Sequence, residues 1–249
     1  MEKYYTEEIP KTERIPRLVK HLFAKMPEIE SARARLITES YKSTEGLPII
    51  LRRAKAFEHI LRHLPIIIRE EELIVGSTTI APRGCQTYPE YSYKWLEEEF
   101  DTVEHRSADP FYISEQTKRE LKEADAYWEN KTTSELAENL MAPETRKAIA
   151  HNIFTPGNYF YNGVGHVTVQ YEKVLAIGYE GIIAQAEDAL AKCSPADADY
   201  CTRAPFLKAL VISCKAAIEY AQRYGALAEK MAAECSDSKR KEELRQIAA

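Results

Sequence analysis

Along most of this chain the apolar residues recur at three- and four-residue steps, the spacing of one helix face rather than of a strand. The pattern predicts a first helix over 28 to about 42, ending at Ser43, Thr44, Glu45 and Gly46. A second follows at once. Thr44 suits its cap, Pro48 its first turn, and Leu47, Ile50, Leu51, Ala54, Phe57, Leu61 and Leu64 its apolar face. Arg52, Arg53, Lys55, Glu58 and Arg62 largely occupy the other positions and read as a solvated face, and Pro65 stops the helix. Further helices are expected at 114–128 and 132–141, the latter opening on a capping-box pattern from Thr132 to Glu135.

In the carboxyl-terminal half, a helix is expected from Tyr171 to about 192, with apolar Val174, Leu175, Ile177, Ile182, Ile183, Ala186, Ala189 and Leu190. The longest, about 205 to 234, is expected to bury Leu207, Leu210, Val211, Cys214, Ile218 and Ala221. A last one starts at Ser238 and reaches Ala249 without Gly, Pro or a basic final turn, so the chain is expected to stop inside an element.

Three stretches break the helical spacing. Residues 73–79, β-branched and interrupted by Gly76, are the first candidate strand, and 82–93, rich in Pro, Gly and Tyr, reads as an ordered loop. Residues 151–166 set four aromatics among Gly, Asn and Pro, a composition that suits a pocket-lining loop or plain aromatic packing. No repeat, low-complexity tract or linker marks a boundary within 1–249. The fold class expected is mainly α with a few short strands.

Composition narrows the function classes. Lys+Arg 34 against Asp+Glu 39 leaves a formal charge of −5, without the basic excess that phosphate neutralisation demands, so no nucleic-acid partner is expected. The longest local apolar run, 64–68, is far short of the roughly 18 residues a membrane span needs, and the charged start is unlike a signal peptide. A cytoplasmic protein without a membrane partner is expected. Five cysteines (Cys85, Cys193, Cys201, Cys214 and Cys235) at long, irregular gaps make a poor disulfide framework and contain no C-x-x-C pair. His59 and His63 stand four apart but at a helix end without nearby Cys or carboxylate clusters, so a solvated terminus is the simpler reading than a metal site.

Catalytic signatures are sparse: there is no Walker A loop, dinucleotide glycine motif, G-x-S-x-G or zincin helix. The best local candidate is the run Asn162, Gly163, Val164, Gly165, His166. Two glycines let the backbone turn tightly, and His166 could then donate a hydrogen bond or a proton near neutral pH. Asn158 could offer both a donor and an acceptor to a hydroxyl. On spacing alone, a plain turn with His166 bonded to a backbone carbonyl explains the same residues.

Several patches together resemble a known family. Glu39 to Gly46 with Leu47 to Lys55 resembles the amino-terminal signature of the glycyl radical enzymes, in the pyruvate formate-lyase-like branch. The likeness continues in order through Glu72 to Gly76, Arg83-Gly84, Pro89 to Ser92, Trp95-Leu96, Asp109 to Phe111, Tyr127-Trp128, Lys131-Thr132 and Gly165 to Leu175. Within that family the sequence looks most like the B12-independent glycerol and propane-1,2-diol dehydratases, with choline trimethylamine-lyase and hydroxyproline dehydratase as close relatives.

The resemblance implies the amino-terminal portion of a ten-stranded α/β barrel wrapped by helices and usually dimeric. It also implies a chemistry without B12. A separate radical-SAM activating enzyme installs a glycyl radical, a cysteine thiyl abstracts hydrogen from a small polyol, and a neighbouring hydroxyl leaves. His166 matches the family's substrate-side histidine, implying a general acid to the leaving hydroxyl. Asn158 matches a substrate-facing loop position, and Asn there favours a polyol over choline. The thiyl cysteine in its Gly-Cys-x-Glu setting and the glycyl loop are absent from the 249 residues; Gly84-Cys85-Gln86-Thr87 lacks the glutamate. The expectation is an amino-terminal piece, binding no cofactor itself and inactive alone, that needs a missing carboxyl-terminal part or a homodimer partner. The alternatives are a subunit of a split glycyl radical enzyme (choline lyase, hydroxyproline dehydratase or formate acetyltransferase type) and a non-catalytic helical interaction module.

Overall fold

The computed structural model describes residues 12–155, 160–163 and 165–249. Among these the chain is mainly helical, with one two-stranded parallel sheet. The sheet pairs β1 (Glu28–Glu30) with β2 (Gly84–Gln86), Ile29 opposite Cys85. Here the expected start of the first helix is corrected: Glu28, Ile29 and Glu30 alternate, burying Ile29 between two less buried carboxylates, and α2 begins only at Ala32 (Ala32–Ser43).

Helix α1 (Arg14–Leu22), which the sequence pattern did not predict, precedes the sheet. Helix α3 (Ile49–His63) follows α2 across a turn in which Gly46 has φ +84°, a value that favours glycine. Thr44 does not cap α3. Its hydroxyl donates back to the Ser40 carbonyl at 2.7 Å, finishing α2, and Pro48 takes the N-cap position without a side-chain cap. Arg52 leaves the expected solvated face as well. It donates to the Tyr41 carbonyl at 2.9 Å and the Tyr127 hydroxyl at 3.1 Å, and lies 4.5 Å from the Tyr41 ring centroid.

The expected strand over 73–79 does not form. Gly76 has φ +121°, and Ile74 is 93% exposed. Side chains hold this segment in place of a ladder: the Ser77 carbonyl accepts from the hydroxyls of Tyr220 at 3.1 Å and Tyr224 at 2.7 Å. The short strand lies instead within 82–93. Next come α4 (Lys94–Glu98), a 3-10 turn (Val103–His105), α5 (Glu115–Asp125) and α6 (Thr133–Leu140). Ser114 caps α5 by accepting from the Thr117 amide at 3.0 Å. The capping box on α6 forms as the sequence predicts, between Thr132 and Glu135.

Helix α7 (Pro143–Ala150) precedes the candidate loop, and α8 (Tyr171–Ala191) comes after it, bent at Gly178 where φ is +63°. Helix α9 (Tyr200–Glu234) starts five residues before the expected position, with Pro205 inside it, and packs against α3, α8 and α10 (Ser238–Ala248). Its buried positions also differ from expectation. Ala204, Ala209, Cys214, Ala216, Tyr224, Ala228 and Ala232 are buried, Leu207, Leu210, Val211 and Ile218 are half-buried, and Ala221 is exposed. Small side chains along the contact let neighbouring helices approach closely, and the larger aliphatics flank them.

Among the described residues three apolar clusters result. One joins Ile29, Leu96, Phe100, Val103, Ile113 and Leu121. A second sets Trp128 against Tyr41, with Ile37, Ala56 and Tyr93, and the indole donates to the Thr38 hydroxyl at 2.8 Å. The third packs Ile68 against Tyr224, Ala228, Ala232 and Leu244. Ion pairs tie distant segments across them: Arg62 reaches Glu219 at 2.7 Å, and Arg14 bonds Glu243. No helix among the described residues is long and apolar enough to cross a membrane.

Candidate functional site

The segment carrying the sequence candidates is anchored at one end and exposed at the other. At residues 160–163 it is tied down. The Phe160 carbonyl accepts from the Thr133 hydroxyl at 2.6 Å, and the Tyr161 carbonyl accepts from Ser92 at 3.0 Å. The Tyr161 hydroxyl donates to Glu138 at 3.1 Å. Helix α6 thus supplies two of the three anchors, and its capping box fixes where that helix starts. Burial pushes the Glu135 carboxyl upward. The Lys94 ammonium, the Thr132 hydroxyl and the backbone amides of Asn130 and Thr132 outweigh this and hold it at about 2.

The two glycines of the candidate run serve differently. A Cβ on Gly163 would sit 3.0 Å from the Tyr91 hydroxyl, so glycine there permits a close approach to the 82–93 loop. Among the described residues a Cβ on Gly165 would meet nothing within 4 Å, so nothing described there requires glycine. His166 comes next, exposed on an irregular stretch leading into α8. No backbone carbonyl among the described residues takes its imidazole, so the plain-turn reading gains no support there. Asn158, with Val164, lies outside the described residues.

Beneath the anchored loop lies a feature that sequence spacing did not reveal. A cavity of about 200 Å³ is lined by Tyr161 and Asn162 from this loop, by Cys85 and Trp95 from the preceding segments, and by Asp125 at the end of α5. Asp125 is 3% exposed. Burial, and then the charge of Glu97 on α4, push its carboxyl up to about 7. Glu97 is raised too, by burial first, with Lys122 and Lys94 pulling it back. Burial also raises the Cys85 thiol, which removes it as a ready nucleophile.

Among the described residues no group of three or more His, Cys, Asp or Glu side chains is placed to hold an ion. His59 and His63 stack with centroids 4.3 Å apart at the end of α3. One ring faces Glu39 at 3.0 Å and the other the His59 carbonyl at 2.8 Å.

Comparison with known proteins places this geometry. The family model described as pyruvate formate lyase-like matches residues 7–249. A solved structure concerned with 1,2-propanediol dehydration in Roseburia inulinivorans is 66% identical, with a TM-score of 0.93 over 96% of this chain and 29% of that one. The glycerol-bound B12-independent glycerol dehydratase of Clostridium butyricum is 50% identical, with a TM-score of 0.93 over 98% of this chain and 31% of that one. The (2S)-3-sulfopropanediol dehydratase of Klebsiella oxytoca is 33% identical over 240 residues, covering 94% of this chain and 29% of that protein. The chain thus spans less than a third of the length of these relatives. The chain belongs to the pyruvate formate lyase-like family of glycyl radical enzymes.

Proposed function

We propose that this chain forms one continuous amino-terminal part, residues 1–249, of a glycyl radical dehydratase that eliminates water from a small polyol. The observation that carries the reading is the 66% identity and 0.93 TM-score to the structure concerned with 1,2-propanediol dehydration, over nearly the whole chain. In this reading the helices and the β1–β2 pair wrap and begin the family's ten-stranded barrel. The exposed apolar side chains around the candidate loop (Phe154, Val167, Val169, Tyr171 and Leu175) then face the remainder of that barrel.

The chemistry divides between this part and the rest. A thiyl radical abstracts hydrogen from a hydroxyl-bearing carbon, and a glutamate takes the proton of that hydroxyl. The neighbouring hydroxyl leaves as water with a proton from His166, and the product carbon recovers its hydrogen from the thiol. The polyol thus loses one water and becomes an aldehyde. Asn158 orients a substrate hydroxyl. A radical-SAM activating enzyme supplies the glycyl radical, and B12 takes no part.

Grafting tests this reading. The corresponding part of the Roseburia relative is replaced by this chain, activated by its radical-SAM enzyme, and assayed with propane-1,2-diol and glycerol. Turnover with a glycyl doublet in the EPR spectrum is expected. His166→Gln should keep the doublet and lose about 10²–10⁴-fold in kcat, the usual worth of a positioned acid. A doublet without turnover on either polyol overturns the substrate class, and full turnover in His166→Gln overturns the role of His166.

A further inference from the structure

Two successive carbonyls, those of Phe160 and Tyr161, are held by side-chain hydroxyls that come from two different segments. Thr133, the first residue of α6, donates to the Phe160 carbonyl at 2.6 Å, and Ser92, just ahead of α4, donates to the Tyr161 carbonyl at 3.0 Å. A hydroxyl has one proton to give. That of Thr133 also lies 3.3 Å from the Tyr91 carbonyl, so the shorter contact to Phe160 takes the proton. Fixing two successive carbonyls orients two successive peptide planes, and with them the direction in which the chain leaves on either side. Asn158 stands on one side and His166 on the other.

The two donors belong to one seat. The Thr133 amide donates to the Glu90 carbonyl at 3.2 Å and the Ser134 amide to the Tyr91 carbonyl at 3.0 Å, so α6 starts against the backbone that carries Ser92. Arg33 of α2 ties that backbone in turn, donating to the Thr87 carbonyl at 3.0 Å and to the Glu90 carboxylate at 3.1 Å. His166, by contrast, is exposed. On its amino-terminal side the fastened peptides are the nearest described fixed point from which its position is set. Holding a surface loop down takes one such bond. Taking two successive carbonyls from two segments also aims the chain that follows.

We propose that Thr133 and Ser92 are positioning residues for the dehydration, acting through the backbone of residues 160 and 161 to place His166 against the leaving hydroxyl. The proposal rests on the dehydratase reading and adds to it two residues that act only through others. Its leverage comes from the steepness of proton transfer in distance: misplacing a reacting group by about 1 Å costs on the order of 10²-fold in rate. A positioning effect of this kind has a signature that a general loss of stability lacks. It disappears when the positioned group is itself removed.

The graft into the Roseburia relative serves for the test, with Thr133→Val, which keeps the shape and removes the hydroxyl, and Thr133→Ser, which keeps the hydroxyl. Thr133→Val should lose roughly 10–100-fold in kcat while the glycyl doublet stays at full height, and Thr133→Ser should recover most of that loss. The deciding measurement repeats Thr133→Val in the His166→Gln background, where the further loss should be under about twofold. Ser92→Ala, at the second carbonyl, should follow the same pattern, and it carries the test if Thr133→Val loses the doublet. Equal losses in the two backgrounds mean a merely structural role and overturn the proposal, as does undiminished turnover in both Thr133→Val and Ser92→Ala. An unsubstituted graft that bears the doublet but turns over neither polyol overturns the dehydratase reading, and this proposal with it, so the two failures are told apart.

Discussion

Two stretches that read alike in sequence, 82–93 and 151–170, behave differently in the fold. Both combine Pro, Gly and Tyr. The first is built into the core. β2 pairs with β1, Pro89 is fully buried, and Arg33 stacks 3.8 Å from the Tyr88 ring centroid while pairing with Glu90. The second is fastened over residues 160–163 and then runs exposed into α8, where Leu175 is 84% exposed. Loop composition thus sets where the backbone leaves regular structure. A loop is fastened by the partners its carbonyls and rings find, and for 82–93 those partners lie in α2 and β1.

The sharpest way to test the contrast is to delete side chains on either side of it. Leu121→Ala, in the cluster beneath 82–93, should cost about 2–5 kcal/mol, whereas Leu175→Ala should stay within about 0.5 kcal/mol. Urea denaturation of both variants measures this, and equal losses would erase the distinction. The cavity between the two loops gives the next largest effect. Asp125 has its folded pKa raised to about 7 from an ordinary value of 3.8, so the native state holds the proton over that window while the unfolded chain has released it. Stability therefore falls as pH rises from 4 to 7 and stays lower above it. Between pH 5 and 8 the loss should be about 2–3 kcal/mol, seen as a lower urea midpoint and flattened in Asp125→Asn.

Two smaller effects probe the anchors. Thr132→Ala removes the cap of α6, from which two loop anchors project, and should cost about 1 kcal/mol in thermal unfolding. Within the candidate run, Gly163→Ala must displace the Tyr91 hydroxyl and should cost about 0.5–1 kcal/mol, while Gly165→Ala should be near neutral. Matching midpoints for the two glycine variants would show that 160–163 is no better fastened than the stretch from Gly165 to α8.

These residues also show how far the sequence was legible. The capping box at Thr132, the spacing in α5, α8 and α10, and the ordered character of 82–93 could be read because each is a local pattern. So could the family, through patches preserved in order. The strands could not, because three residues cannot display a period and the pairing of Ile29 with Cys85 joins positions far apart in the chain. The α9 face was misjudged because helix approach selects alanine where hydropathy alone selects leucine. The cavity was invisible for a similar reason: Cys85, Trp95, Asp125 and Tyr161 belong to four separate segments.

The ties across the third cluster have a consequence for how this fold is made. Arg223 on α9 donates to the carbonyls of Leu61 and Leu64, the latter at 2.8 Å, across sequence separations of 162 and 159 residues. Contacts so distant along the chain slow folding, because a long loop must close before they contribute. On a ribosome adding about 5–20 residues per second, the carboxyl end of α3 waits roughly 8 to 32 seconds for the arginine that will cover it. During that interval the apolar side of α3 is without α9, its main packing partner.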